Sequence, residues 1–180
     1  MNNKSIFKYA SEAGLPMGIY LTIISACLLL SIQLPPLGFL VTPLTIGFPF
    51  MIWFLLKRIV QIEPSYMKLS TLWLGGIYTV IFGTLICMFL TGLYLVFVNP
   101  GFINEYARLL IVQLEEADIA NEYAPTIAIL KNAVSSGALP TGMDFNITMG
   151  WLTSFSGSVL SLIIAFLMTS VRRKAPQTQG

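Results

Sequence analysis

The sequence predicts an all-α fold: a polytopic membrane protein with four transmembrane helices and an extracytoplasmic helical hairpin between the third and the fourth. The main observation is that no residue between Ala13 and Leu56 is charged. As a helix this run would measure roughly 66 Å, about twice the ~30 Å hydrocarbon core of a bilayer, so it corresponds to two crossings. Two further charge-free runs, Leu69–Asn104 and Phe145–Val171, supply the third and fourth crossings.

Composition predicts the same fold class. Hydrophobic residues make up 56% of the chain and charged residues only 10%, whereas about a quarter of the residues in soluble domains are charged. We therefore expect residues 1–180 to form a single membrane domain surrounded by lipid. The basic residues lie at the ends of the apolar runs and not in one patch, which argues against a nucleic-acid partner.

Breaks in the apolar pattern separate the crossings. The segment 34–38 contains two adjacent prolines and divides the first crossing from the second. Within the second, Pro49 removes one backbone donor, and we expect a kinked but inert helix whose freed carbonyl is satisfied by Thr45 or a neighbour. The alternative is a broken helix that builds a transporter binding site. The expected spans are about 13–33, 39–56, 71–93 and 147–171, with an outer helical loop at about 99–146 and a disordered tail at about 175–180.

The outer loop is expected to fold as two helices. Its first half carries apolar residues at three- and four-residue spacing, which is the pattern of an amphipathic helix. The second helix can be capped by Asn121, tolerate Pro125 in its first turn and end at Gly137. The candidate contacts of this hairpin with a partner are Tyr106, Leu109, Leu110, Ile127 and Leu130.

The distribution of basic residues predicts the orientation. Eight of the ten basic residues fall on the side of the membrane that holds both termini, and six of the eight acidic residues fall on the other side. Short cytoplasmic segments carry the excess of Lys and Arg, so both termini are expected in the cytoplasm and the hairpin outside. The eight residues are Lys4, Lys8, Lys57, Arg58, Lys68, Arg172, Arg173 and Lys174.

The first span is expected to be an uncleaved anchor. The segment Ile24–Cys27 resembles a bacterial lipoprotein processing box, which leaves cleavage before Cys27 as the alternative. A mature chain usually becomes polar after such a site, however, and this one remains apolar up to the paired prolines. Cys27 and Cys87 both lie inside spans and are too few for a closed zinc or iron–sulfur site, so we interpret them as buried apolar residues.

Small residues recur at four-residue spacing in three of the spans. Small side chains allow helix backbones to approach closely, which drives helix association in lipid. We therefore expect spans one, three and four to form the packed centre, and Leu in place of Gly83 to destabilise more than Leu55→Ala. The candidate helix-packing residues are Gly14, Gly18, Gly75, Thr79, Gly83, Gly157, Ser161 and Ala165. The second span has no such row, and its residues expected to face lipid are Phe48, Phe50, Trp53 and Phe54.

The sequence lacks the residues that most catalytic sites and ion-coupled carriers use. The chain contains no histidine, and no span contains Asp, Glu, Lys or Arg, although ion-coupled carriers usually place such a residue in the membrane. The carboxylates Glu115, Glu116 and Asp118 fit a solvated helix end better than a divalent-cation site. We therefore expect no catalytic residue, cofactor or metal, and no enzymatic activity. The expected role is contact with itself or a membrane partner; the alternative is a small oligomeric transporter or channel for neutral substrates.

The order of features resembles a known family. A basic cluster follows the second span, the segment Tyr66–Ser70 enters the third, and Phe97–Phe102 (Phe-Val-Asn-Pro-Gly-Phe) leads into the helical pair. A final small-residue helix ends at Arg172–Lys174. Across nearly the whole chain this resembles the bacterial four-helix membrane proteins catalogued as domain of unknown function 4199. The resemblance implies the inner membrane of a Gram-negative bacterium and supplies no reaction or ligand.

Overall fold

The computed structural model describes residues 3–117 and 122–174, and the side chains of 6–117 and 122–171 within them. This part of the chain is all-α, as predicted. Four helices contain stretches long and apolar enough to cross a membrane: 6–30, 36–62, 69–98 and 142–171. Asp118, Asn121 and the tail 175–180 lie outside the described residues. The helices are α1 (Asn3–Leu30), α2 (Pro36–Ile62), α3 (Leu69–Leu93), α4 (Phe102–Ala117), α5 (Ala124–Ser136) and α6 (Gly142–Lys174).

The helices extend beyond the spans that the apolar runs predicted. α1 begins at Asn3, because a helix can continue out of the bilayer with exposed charged residues such as Lys8 and Glu12. α6 begins at Gly142, just after Thr141 and Asp144 form a reciprocal capping box. The Thr141 backbone N–H donates to the Asp144 carboxylate at 3.1 Å, and the Asp144 backbone N–H donates to the Thr141 hydroxyl at 3.2 Å. A π-helical turn, Tyr94–Val98, extends α3 beyond the expected span 71–93.

The four long helices pack in a ring. α3 packs most extensively on α1 and α6. α2 lies opposite α3 and closes the ring, because it also packs on both α1 and α6. The main core runs through the centre of the bundle and takes residues from all four helices. Its buried members include Met17 from α1, Leu56 from α2, Val80 from α3 and Ile164 from α6. The bundle is therefore built from four helices and not from three with α2 outside.

The prediction that four aromatic residues of the second span face lipid is thus wrong for one of them. Phe50, Trp53 and Phe54 are exposed as predicted, but Phe48 is buried. Leu55, with only 2% of its surface exposed, belongs to the core and cannot serve as a harmless control. The physical reason is that a helix apolar on all sides does not distinguish a lipid-facing side chain from a core-facing one. The buried residues of α2 are Phe48, Ile52, Leu55, Leu56 and Ile59.

α2 continues through its internal prolines. The Thr45 hydroxyl donates to the Val41 carbonyl at 2.8 Å, so it does not serve the carbonyl freed by Pro49. A neighbour from α1 bonds to α2 close by, because the Tyr20 hydroxyl donates to the Leu44 carbonyl. The same hydroxyl occupies the space where a Cβ on Gly47 would lie, which explains why a glycine is needed at this α1–α2 contact.

The hairpin α4–α5 is anchored at its base. Phe102, 2% exposed, packs in a second core cluster with Leu29 of α1 and Leu95 of the π turn. Farther out, α5 packs chiefly on α4, and Lys131 and Glu115 form an exposed ion pair at 2.5 Å. α5 ends at Ser136, and Gly137 caps it as predicted, since this residue adopts φ +67°, the left-handed conformation favoured by glycine.

Candidate functional site

α1 and α3 approach each other closely at three glycines. A Cβ added to Gly83 would lie 2.7 Å from the Met17 Cγ and 3.1 Å from the Gly18 backbone nitrogen. A Cβ on Gly18 would in turn lie 3.1 Å from the Gly83 carbonyl oxygen, and one on Gly14 would lie 2.5 Å from the Phe82 Cβ. These distances are shorter than or at the limit of normal contacts, so the two backbones touch here only because three glycines lie at the crossing.

A second close contact joins α3 to α6. A Cβ on Gly157 would lie 2.6 Å from a Val80 methyl carbon, and one on Gly76 would lie 2.6 Å from the Ser161 Cβ. Gly76 is absent from the predicted set because it lies off the four-residue row, although its position beside Gly75 was a usable signal. Ser161 and Ala165 are fully buried in the interior of the bundle.

The predicted packing residue Gly75 of α3 occupies roomier surroundings than Gly83. A Cβ on Gly75 would meet its nearest neighbours, the Ile6 and Leu56 side chains, at 3.7 and 3.8 Å. This is ordinary van der Waals contact. The Thr79 side chain is buried, and its hydroxyl donates to the Gly75 carbonyl at 2.8 Å. The four-residue row of α3 thus combines a tight crossing point at Gly83 with a looser position at Gly75, near the beginning of the helix.

A cavity of ≈ 170 Å³ opens directly on the hairpin side of these contacts. It begins beside the α1–α3 crossing, at Leu21 on α1 and Thr84 on α3, and it reaches Phe145 near the start of α6. Most of its lining is apolar, from leucine, isoleucine, methionine and phenylalanine side chains. Its polar lining residues are Ser25, Thr84, Cys87, Thr91, Asn146 and Thr153. We call this space the bundle cavity.

Most of these polar groups have partners. The Ser25 hydroxyl and the Cys87 thiol lie 3.2 Å apart, and the same thiol lies 3.7 Å from the Thr91 hydroxyl. The Asn146 amide donates to the Met88 carbonyl at 2.8 Å. The Thr84 hydroxyl is different: it is buried and has no hydrogen-bond partner among the described residues. Sequence analysis missed this site, because no charged or motif-forming residue marks it.

The hairpin buries much of the apolar surface that the sequence assigned to a partner. Ile127 is buried, and Leu109, Leu110 and Leu130 are half-buried, because α4 and α5 pack against each other. Tyr106 remains exposed and stacks on the Phe102 ring, with centroids 6.0 Å apart. Ile127 is therefore not available to a partner in this conformation. The hairpin residues Val112 and Ile129, which the pattern did not single out, are the exposed aliphatic ones, and Ile129 is 70% exposed.

No metal-binding arrangement is present in the described part of the chain, where no three His, Cys, Asp or Glu residues come together. Of the helix-end carboxylates, Glu115 pairs with Lys131 and Glu116 is exposed, while Asp118 is not described.

The arrangement of the helices indicates the class of protein. Four long apolar helices in one bundle, with a short helical hairpin between the third and the fourth, indicate a multi-pass membrane protein. The family described as "Protein of unknown function (DUF4199)" matches residues 12–170, so the chain belongs to this family, as its resemblance predicted. Neither the curated proteins nor the solved structures give a match.

Proposed function

We propose that this protein is a non-enzymatic integral membrane protein that acts by contact, and that the α4–α5 hairpin is its contact surface. The partner is a second copy of the chain or another membrane protein. The observation that carries the proposal is the exposure of Ile129 on a helix that packs chiefly on α4. Together with the exposed Tyr106 and Val112, Ile129 gives the hairpin apolar surface of the kind that protein interfaces use.

The base of the hairpin supports this role. Phe102 is enclosed by residues of α1 and of the π turn, so the first turn of α4 is tied to the bundle. The burial of Ile127 holds α5 against α4, and the exposed ion pair between Lys131 and Glu115 also joins the two helices. A pre-organised surface loses less conformational entropy on binding than a flexible loop does. The hairpin is thus built to present its outer face in a defined orientation.

The proposed topology places this face outside the cytoplasm, in a bacterial inner membrane, with both termini inside. The positions of exposed basic residues support it: Lys8 lies near the start of α1, and Lys57 and Arg58 lie near the end of α2. Lys57 also lies 5.0 Å from the Trp53 ring centroid, an aromatic–cation pair typical of a membrane interface. Single cysteines at Ser135 and Ser65 test the topology, since a membrane-impermeant thiol reagent should label the first and spare the second in intact spheroplasts. The reverse pattern would overturn it.

Photo-crosslinking in cells tests the contact itself. A photoreactive amino acid at Ile129 should give a specific adduct, whereas the same residue at Ala128 should not, because this adjacent exposed position faces another side of α5. A product of about twice 19.9 kDa would identify a second copy, and any other discrete mass would identify a different partner. Equal yields from both positions, or none from Ile129, would refute the hairpin as contact surface.

A second candidate function is a small oligomeric pathway for neutral substrates. The bundle cavity favours it, because a space of ≈ 170 Å³ inside a membrane bundle can hold a small molecule. Flux of uncharged solutes into liposomes that contain the purified protein tests this candidate. A rate equal to that of protein-free liposomes would refute it.

A further inference from the structure

We propose that a cleft between the first part of α1 and the last part of α2 binds the zwitterionic headgroup of a phosphatidylethanolamine lipid. The Arg58 guanidinium would pair with the lipid phosphate, and the Glu12 carboxylate would pair with the ammonium group. We call this space the headgroup cleft; its lining includes Tyr9, Glu12, Ala13, Leu55, Arg58 and Ile59. The inference does not depend on the hairpin or on the bundle cavity.

The headgroup cleft lies at the depth of the lipid headgroups. Glu12 is the last charged residue before the charge-free run that begins at Ala13, and Arg58 follows closely after the end of that run at Leu56. The two side chains therefore mark the same boundary between hydrocarbon and water, one from each helix. Lipid phosphate and amine groups lie at this boundary.

The two charged side chains of the cleft have opposite signs and lack partners. Neither Glu12 nor Arg58 forms an ion pair or a hydrogen bond through its side chain with another described residue. A ligand with one positive and one negative group can satisfy both at once, whereas a ligand with a single charge leaves one of them uncompensated. For the negative group, a guanidinium is well suited to phosphate because it can donate two parallel hydrogen bonds.

Tyr9 favours an ammonium group beside Glu12. It lies three residues before Glu12 on α1, so the two side chains are neighbours on the helix surface. The Tyr9 ring forms an edge-to-face pair with the buried Tyr66, with centroids 6.4 Å apart, which fixes its position. A cation is attracted to an aromatic ring as well as to a carboxylate, so this side of the cleft suits the positive end of the ligand.

The volume limits how much of the lipid enters. The headgroup cleft measures ≈ 90 Å³, less than the about 150 Å³ of a cavity that binds benzene. The compact ammonium end of the headgroup therefore enters, and the bulkier phosphate pairs with the exposed Arg58 at the rim. The acyl chains remain in the bilayer.

Native mass spectrometry of the full chain tests the inference with two lipids that share their phosphate and their acyl chains. The protein in detergent micelles receives equal amounts of dioleoyl phosphatidylethanolamine, which carries an ammonium group, and dioleoyl phosphatidylglycerol, which does not. We expect Glu12→Gln to weaken binding of phosphatidylethanolamine about tenfold and to leave phosphatidylglycerol no weaker. Arg58→Gln should also weaken binding of phosphatidylethanolamine about tenfold, through loss of the phosphate contact.

Two matched variants control for charge. Lys57→Gln removes the adjacent positive charge, which lies 5.0 Å from the Trp53 ring centroid and does not line the cleft. Glu63→Gln removes a nearby carboxylate that accepts a hydrogen bond from Ser65 at 2.7 Å and does not line the cleft either. Both should leave the binding of phosphatidylethanolamine unchanged.

The outcomes separate a headgroup site from general attraction of lipid to basic residues. Losses at Glu12 and Arg58, without losses at Lys57 and Glu63, support the site. Equal or tighter binding of phosphatidylethanolamine to Glu12→Gln would overturn it, and so would equal losses for Lys57→Gln and Arg58→Gln. Complete displacement of the lipid by free phosphoethanolamine at the same concentration would overturn the assignment to a lipid and indicate a soluble zwitterion. The hairpin proposal is untouched by these results, since crosslinking tests it.

Discussion

Replacing two glycines of α3 with alanine tests whether the close approach of α1 and α3 stabilises this bundle. Gly83 and Gly75 lie in the same helix, both are buried, and both belong to the same four-residue row. The row alone predicts the same effect at each. The structure predicts opposite effects, because a new Cβ at Gly83 would lie 2.7 Å from the Met17 Cγ, whereas one at Gly75 has no neighbour closer than 3.7 Å.

The magnitude follows from two terms. Alanine stabilises a helix relative to glycine by roughly 0.5–1 kcal/mol, and this gain is common to both variants. Overpacking costs typically 1–3 kcal/mol and applies only at Gly83, where the Met17 Cβ and the Gly18 backbone nitrogen lie at 2.9 and 3.1 Å and cannot rotate away. We therefore expect Gly75→Ala to be neutral or slightly stabilising and Gly83→Ala to be less stable than Gly75→Ala by about 1–3 kcal/mol.

The assay is reversible unfolding of each full-length variant in mixed micelles of a mild detergent and dodecyl sulfate, followed by circular dichroism. The wild type and both variants are measured under the same conditions, so the common gain in helix propensity cancels between the two alanines. Equal free energies of unfolding for Gly83→Ala and Gly75→Ala would refute the argument, because they would show that the α1–α3 contact can relax without cost.

Three further predictions concern the hairpin and the cavity. Phe102→Ala should raise hydrogen exchange of the α4 and α5 amides by about two orders of magnitude (about 3 kcal/mol) through loss of the buried anchor, whereas Phe97→Ala, at a 77% exposed site, should leave it unchanged. Thr84→Val should raise the free energy of unfolding by about 1 kcal/mol, because it removes a buried hydroxyl that has no partner among the described residues. Thr79→Val should lower the free energy of unfolding slightly through loss of a hydrogen bond. A lower stability for Thr84→Val would contradict the unpaired hydroxyl. Lys131→Ala should change stability by less than about 1 kcal/mol, as measured by the same unfolding assay, because its ion pair is exposed; a larger loss would mean that the pair holds the hairpin closed.

The sequence by itself determined which segments are long and apolar enough to cross a membrane. Long runs without charge predict crossings, because lipid does not tolerate unpaired charges, and the capping glycine at Gly137 predicts the end of α5. Both predictions are confirmed for the described residues: four helices are long and apolar enough to cross a membrane, and α5 ends at Ser136. The Asn-Pro-Gly-Phe exit from α3 also carried the resemblance to the family to which the chain belongs.

The tertiary structure decided which surfaces face one another. Lipid and a protein core are equally apolar, so hydrophobicity could not reveal that Phe48 is buried while Phe50 is exposed. A row of small residues indicates that helices can approach, but only the crossing point makes Gly83 tight and leaves Gly75 loose. The bundle cavity arises where three helices meet beyond that crossing. One of its lining residues, Thr84, has a buried hydroxyl without a partner among the described residues. No local pattern encodes such a space, because its walls come from segments far apart in the chain.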